Sequence, residues 1–346
     1  MASAKAEAHH DEGAAWKPST GQKIQNLIRN KWCIGLIIAI VLVVILVPVL
    51  LLVVYPHIAQ SITNKARIIV LSEAALSPTP DSIRLDINSS FVVNSKYHPV
   101  LYPFNASLYL DEQASTPFVS FETPRINHIK NGSTLSISQT VPIPHADAFT
   151  AFTKKALSSK DFTLILKGKG QLQQGGLTKA TVTYNQKVFL TGLDGLSSIE
   201  VKDITLLKEQ LSDGSNANAS ISLYNPSVFT LDLGDVSMSL IGPAPNNTAL
   251  GTTLLVGALV KPRSNTLSAT VKADIVAIAN LITQDKRYGC AVFPVTIAGN
   301  NVTYNNVDIP YYTAAVNQLK ISTTLNLTKT LQDVGYGVVS LDTHDD

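Results

Sequence analysis

The sequence predicts a mainly β protein: one N-terminal transmembrane helix followed by two tandem β-sandwich domains, each with one short inserted helix. Three observations carry this. A charge-free apolar block runs from Cys33 to Tyr55. Beyond it, apolar and polar residues alternate in short runs punctuated by Gly, Pro, Asn and Asp. Two segments about 130 residues apart break that alternation with helical spacing.

The apolar block comes first. Twenty-three helical residues reach roughly 34 Å, enough for a hydrocarbon core of about 30 Å. A buried core helix is rarely apolar all round for six turns, and a cleaved signal peptide has a shorter apolar region nearer the start. Residues 33–55 therefore read as a retained anchor, and a membrane helix tolerates the internal Pro48. Lys17, Lys23, Arg29 and Lys31 precede the block, which places the N-terminus in the cytosol. Trp32 and Tyr55 flank it as interfacial rings. The reading is a single-pass type II protein with its C-terminal part lumenal or extracellular.

Residues 1–32 read as a disordered cytosolic tail, His9 and His10 included. Residues 56–80 end in Ser77-Pro78-Thr79-Pro80 and read as a juxtamembrane linker. Glycosylation sequons start at Asn88, Asn105, Asn131, Asn218, Asn246, Asn301 and Asn326, all after the span. Strand parity puts Asn105, Asn218 and Asn326 opposite the apolar residues beside them. Cys33 and Cys290 lie on opposite sides of the membrane and cannot pair, so a sizeable core must replace a disulfide framework. Cys290 is either buried in a strand or free for an intermolecular bridge; Cys33 is either inert or palmitoylated.

In the first half Leu135, Ile137, Val141 and Ile143 alternate with polar residues, as do Phe162, Leu164 and Leu166. Val236, Met238 and Leu240 do so in the second. Asp147–Leu157 places Phe149, Phe152 and Ala156 on one helical face; Asp274–Ile282 does the same with Ile275, Ile278, Leu281 and Ile282. Each helix follows one alternating strand and precedes another. The predicted domains are 81–195 and 198–330, with 331–346 as a C-terminal tail.

A strand, Asn-Pro, a long hairpin, a helix and closing strands in about 130 residues resemble a late-embryogenesis-abundant group-two domain, an immunoglobulin-like β-sandwich. The strand-ending Asn-Pro lies in Leu223-Tyr224-Asn225-Pro226-Ser227; the first copy has Val93-Asn94-Ser95 without the proline. Lys167-Gly168-Lys169-Gly170 and Val188-Phe189-Leu190-Thr191-Gly192-Leu193 resemble the recurring pattern of a fungal family of uncharacterised type II membrane proteins. The resemblance implies vacuolar or cell-surface relatives and domains that hold lipid in an apolar groove, and brings no catalytic residues.

Charge excludes some partners. The chain after the tail carries 22 cations and 22 carboxylates, with no basic, aromatic-laced stripe for nucleic acid. No His-Glu-x-x-His, Gly-x-Ser-x-Gly or phosphate-loop motif occurs. Lys167-Gly168-Lys169-Gly170 reads as a strand-ending turn, and Asp111, Glu112, Asp232 and Asp235 as solvated turn carboxylates. The expectation is no enzyme, metal or cofactor. Phe149, Phe152, Leu157 and Phe162 in one copy, and Ile278, Leu281, Ile282 and Phe293 in the other, either line an apolar slot or pack each helix on its sheet. A wide groove beneath a helix would support lipid binding and a filled one would not. The alternatives are a wall-contact or scaffold module using exposed Tyr97, Tyr102, Tyr311 and Tyr312, and a hydrolase without a recognisable motif.

Overall fold

The computed structural model describes residues 20–333 and 335. His9, His10 and the C-terminal tail from residue 336 lie outside the described residues, as do the side chains of Trp32 and Cys33. Two units separate at His57.

The first unit is helical. Helix α1 (Thr20–Val49) runs into a wider turn (Leu50–Val54) and then α2 (Tyr55–Lys65). Pro48 leaves the Val44 carbonyl without its helical donor, and further on the Tyr55 N–H reaches the Leu50 carbonyl five residues back, which widens the turn. The helix is long and apolar enough to cross a membrane, with mean hydropathy 3.7 over its most apolar window. Residues 20–32 are helical rather than an unstructured tail. An established helix propagates at one hydrogen bond per residue, and Ile24, Leu27 and Ile28 sustain its spacing.

The described residues from Ile58 onward form one compact unit, mainly β as predicted. The expected linker is structured: α2 continues to Lys65 and β1 (Arg67–Leu76) follows. Its apolar run, Ile68 to Leu71, was overshadowed in the sequence by the Ser-Pro-Thr-Pro turn after it. Strands β2 (Ser82–Val92), β3 (Val100–Leu101), β4 (Phe104–Tyr109), β5 (Val119–Thr123), β6 (Thr134–Pro142), β7 (Asp161–Gln173) and β8 (Ala180–Thr191) complete the first half, with α3 (Ala146–Ser158) between β6 and β7. The order β6-β2-β1 faces a five-stranded sheet of β3, β4, β5, β7 and β8. Two glutamines seal edge strands. The Gln60 amide exchanges bonds of 2.8 Å with both the N–H and carbonyl of Thr183 on β8. Gln139 of β6 does the same with Glu122 of β5, at 3.0 and 3.4 Å. Each amide stands in for a missing strand.

The second half holds β9 (Glu200–Leu206), β10 (Ala217–Asn225), β11 (Phe229–Ile241), β12 (Ala249–Val260), β13 (Arg263–Ala273), β14 (Val292–Tyr304), β15 (Val307–Asp308) and β16 (Lys320–Asn326). Helix α4 (Ile275–Gln284) follows β13, α5 (Pro310–Val316) precedes β16, and α6 (Thr328–Asp333) follows it. The order β9-β10-β13-β12-β11-β14-β16 curls round until β9 nears β16. There Thr330 Oγ1 of α6 donates to the Ile204 carbonyl of β9 at 2.8 Å. The repeat is plain: α3 and α4 each sit between a sheet strand and the next long strand, about 130 residues apart.

The halves are not joined by a linker. Glu73–Ala75 of β1 pairs in parallel with Phe229–Leu231 of β11, making one eleven-stranded sheet across both. The Asn225-Pro226-Ser227 turn sets this up. The buried Asn225 amide donates to the Phe229 carbonyl at 2.8 Å and accepts from Ser227 N–H and Oγ. Helix α5 locks the second contact: the Tyr311 hydroxyl donates to the Thr79 carbonyl at 3.0 Å, and Thr153 Oγ1 of α3 donates to the Tyr311 carbonyl.

Two local readings are corrected. Gly168 and Gly170 lie inside β7, not in a turn; a Cβ on Gly168 would meet the Phe104 ring at 2.7 Å. Glycine is needed there because Phe104 lies across β7, stacked on Tyr184 at 4.8 Å. Tyr311 and Tyr312 are buried, at 1% and 5% exposure, because α5 drives them into the junction.

Glu73 stands at this junction, and burial raises its carboxyl to about 7. Burial, and after it the neighbouring acidic groups, raises the Tyr312 hydroxyl well above the ordinary phenol value, and that hydroxyl is buried without a hydrogen-bond partner. A carboxyl raised in the fold stabilises below its unfolded value of 4.5, and that contribution is lost as pH rises through 7. Chemical denaturation should therefore show about 2 to 3 kcal/mol lost between pH 5 and 8, with Glu73→Gln flattening the slope. An unchanged slope in the variant would assign the dependence to another group.

Candidate functional site: an apolar cavity beneath the fourth helix

The halves differ in how their cores are filled. In the first, Phe118 stacks on Phe152 at 4.3 Å, Phe149 meets Tyr311 edge-on at 4.8 Å, and Phe162 lies 6.2 Å from Phe229. The two voids left there hold about 50 and 40 Å³, little more than room for a few waters.

The second half encloses about 290 Å³, close to the lower end for ligand pockets. Strand parity turns Ala217, Ala219 and Ile221 of β10 inward, opposite Val295 and Ile297 of β14. Small and aliphatic side chains here leave open what rings fill in the first half. Among the described residues, no aromatic or charged side chain lines the cavity. Its three hydroxyls are turned to main-chain carbonyls: Thr253 to Thr270 at 3.1 Å, Thr283 to Ala279 at 2.8 Å and Thr330 to Ile204 at 2.8 Å. Among the described residues the wall therefore offers apolar contact and no free side-chain hydrogen-bond donor.

Of the residues singled out in the sequence, Ile278 and Ile282 line this cavity. Leu281 and Phe293 pack in the cluster beside it, with Phe293 6.1 Å from Tyr288. Phe149, Phe152 and Leu157 border one of the small voids, and Phe162 packs beyond it. The sequence reading missed Ala217, Ala219, the β9 wall and α6. Alternation around Asn218 turned the alanines inward, but nothing in it said that the sheet curls enough to leave space beside them.

Helix α4 starts because the Asp274 side chain accepts from the Ala277 N–H at 2.9 Å. Its stripe Ile275, Ala279 and Thr283 both lines the cavity and meets solvent, whereas the other lining residues are buried or half-buried. The mouth thus runs along this helix.

The expected turn carboxylates have local tasks. Asp111 accepts from the Ala114 N–H at 2.6 Å, Asp235 from the Gly257 N–H at 2.8 Å and Asp232 from the Ser77 N–H at 3.3 Å. Glu112 pairs with Lys187 at 2.7 Å, which lowers its pKa. Asn105, Asn131, Asn218, Asn246 and Asn326 are exposed. Asn88 and Asn301 are half-buried, and both ends of the Asn301 amide are held, by Asp308 and Thr313. Tyr102 is covered by Lys179 at 3.8 Å and Arg125 at 5.0 Å, while Tyr97 is exposed.

Fold and cavity together define a mainly β chain with one N-terminal apolar helix and a hollow second half. Residues 116–240, about a third of the chain from β5 to β11, match the model of a family described as a protein of unknown function, DUF3712. No curated protein shows significant similarity. Among solved structures, the chain is 10% identical to the CFA/I adhesin CfaE of enterotoxigenic E. coli, covering 75% of this chain and 85% of that one at TM-score 0.17. It is 12% identical to a chain of a chaperone–tip adhesin complex of CFA/I fimbriae, covering 60% and 73% at TM-score 0.12. Likeness at this level carries no argument about fold or function.

Packing density predicts unequal costs of truncation. Phe149→Ala, in the ring cluster, should lose about 3 to 5 kcal/mol of stability. Ile282→Ala, beside open space, should lose about 1 to 2 because fewer contacts are forfeited. Urea denaturation of both variants measures the difference; equal losses would mean the cavity collapses around its lining.

Proposed function

We propose that this is a non-enzymatic membrane-anchored protein whose second half holds the hydrocarbon chain of a lipid. The observation that carries the reading is the cavity of about 290 Å³ with no charged or aromatic lining and every hydroxyl already bonded. Each methylene drawn in contributes about 0.8 kcal/mol. A polar headgroup would cost several kcal/mol if buried without a partner, so it stays at the mouth along α4. The filled first half serves as the support that closes the shared sheet.

The basic flank before the apolar helix supports a cytosolic N-terminus, with the β unit in the lumen or outside the cell at the vacuolar or plasma membrane. The Asn225-Pro226 turn and the repeated strand–helix–strand plan support kinship with late-embryogenesis-abundant group-two domains and the fungal type II family. The sugar-contact alternative has less support, since Tyr311 and Tyr312 are buried.

Two measurements test the reading. Fragment 58–346, purified from cells, should carry about one lipid per chain by native mass spectrometry. Ala219→Phe should fill the cavity and abolish that occupancy while circular dichroism is retained. Lipid-free wild type, or unchanged occupancy in the variant, would sink the proposal. Glycopeptide mapping of the full chain should find sugar on Asn105, Asn131, Asn218, Asn246 and Asn326 and none on Asn301, whose amide is held. A wholly unglycosylated β unit would reverse the topology.

A further inference from the structure

The lipid-holding reading leaves open how a water-insoluble ligand reaches the cavity. We infer that α4 is the portal and that its exposed apolar edge seats on a lipid bilayer, so that ligand passes between membrane and cavity without crossing water. The inference rests on the proposed function and goes beyond it by naming the surface and its partner.

Four observations carry it. First, the mouth follows one stripe of α4, the residues at i, i+4 and i+8 that line the cavity and meet solvent. Second, two large apolar side chains stand exposed beside that mouth. Ile275 is 47% and Val276 70% exposed, and Val276 does not line the cavity, so the cavity gives no reason for its exposure. Third, the helix is weakly tied. Among the described residues no α4 side chain makes a hydrogen bond or ion pair to the barrel: Thr283 bonds within its own helix, and Asp274 caps it. Its counterpart α3 is fastened by Thr153 to the Tyr311 carbonyl and by the Leu193 N–H to the Ala156 carbonyl. Moving α4 therefore breaks chiefly apolar contacts.

That third point selects the partner. In water, displacing α4 would expose aliphatic side chains, at a cost that grows with the area uncovered. Against acyl chains, which are as apolar as leucine, the exchange is nearly neutral. Fourth, cations flank the apolar edge. Lys272 precedes the helix by three residues and Lys286 follows it by two, both exposed; Lys272 is partly offset by Asp213, whose carboxyl it helps to lower, and Arg287 beside Lys286 is balanced by Asp285 at 2.6 Å. Cations beside a short apolar edge suit a phospholipid surface. The chain also carries its own membrane-spanning candidate, so a bilayer is its standing neighbour.

The test uses the full chain in phosphatidylcholine–phosphatidylserine vesicles. With Trp16 and Trp32 replaced by Phe, Val276→Trp gives a single reporter on the helix. Its emission should shift to the blue and be quenched by brominated phosphatidylcholine, in the chain's own vesicles or in added ones. Val256→Trp, on exposed β12, should not be quenched. In parallel, Val276→Asp should slow uptake of a pyrene-labelled fatty acid by about tenfold and leave equilibrium loading unchanged, with Val276→Leu restoring the rate. Absence of quenching, equal quenching at 276 and 256, or normal uptake by Val276→Asp would overturn the inference. Loading that does not exceed that of Ala219→Phe would overturn the proposed function itself, and this inference with it.

Discussion

Three residues of parallel pairing, Glu73–Ala75 against Phe229–Leu231, hold the two halves as one sheet. Parallel strands need long crossover connections, and here the crossover is the whole first half. It leaves β1, builds the facing sheet and returns through β10 and the Asn225 turn to β11. The pairing places α3 where α5 reaches it, and α5 in turn buries Tyr311 and Tyr312. One consequence is electrostatic: among the described residues only burial shifts the Glu73 carboxyl, which therefore resists ionisation. The join is thus tighter when Glu73 is protonated, at pH below about 7.

The repeat shows how one plan gives two interiors. In the first half rings from α3, β7 and the Phe118 segment interdigitate, and α5 adds Tyr311. In the second, alanines stand on β10 where the wall faces inward, and the sheet curls on itself instead of meeting a second sheet. A void of this size forfeits dispersion contacts along its whole lining. The filled half supplies compensating packing, and under the proposed function a ligand in the other half would supply the contacts it lacks. Binding then stabilises the fold by mass action.

How much of this was legible depends on range. The apolar helix, both inserted helices and the outward parity of Asn105, Asn218 and Asn326 follow from local spacing, and all appear where the spacing puts them. The strand β1 was masked by its neighbour Ser77-Pro78-Thr79-Pro80. Its partner, more than 150 residues away, leaves no local trace. Tyr311 and Tyr312 sit beside a proline in a stretch that reads as surface, and only the docking of α5 buries them. The two slots looked alike because helical spacing reports which face is apolar, not whether opposing side chains fill the gap. The difference lay in residue size on other strands: Phe118 and Phe229 on one side, Ala217 and Ala219 on the other.

The same contrast bears on why α4 and α3 differ in attachment. Both occupy the same place in the repeat, and both bury an apolar face. Helix α3 carries Thr153 on its inner side, with a carbonyl opposite to receive its hydroxyl. Helix α4 has Ile278 and Ile282 inward and Thr283 bonded to itself. A hydrogen bond is directional and holds a helix in one register; aliphatic contact is not and allows displacement at a cost set by what replaces it. Since a bilayer replaces aliphatic contact in kind, the helix that covers the cavity without polar ties is the one built to move against a membrane.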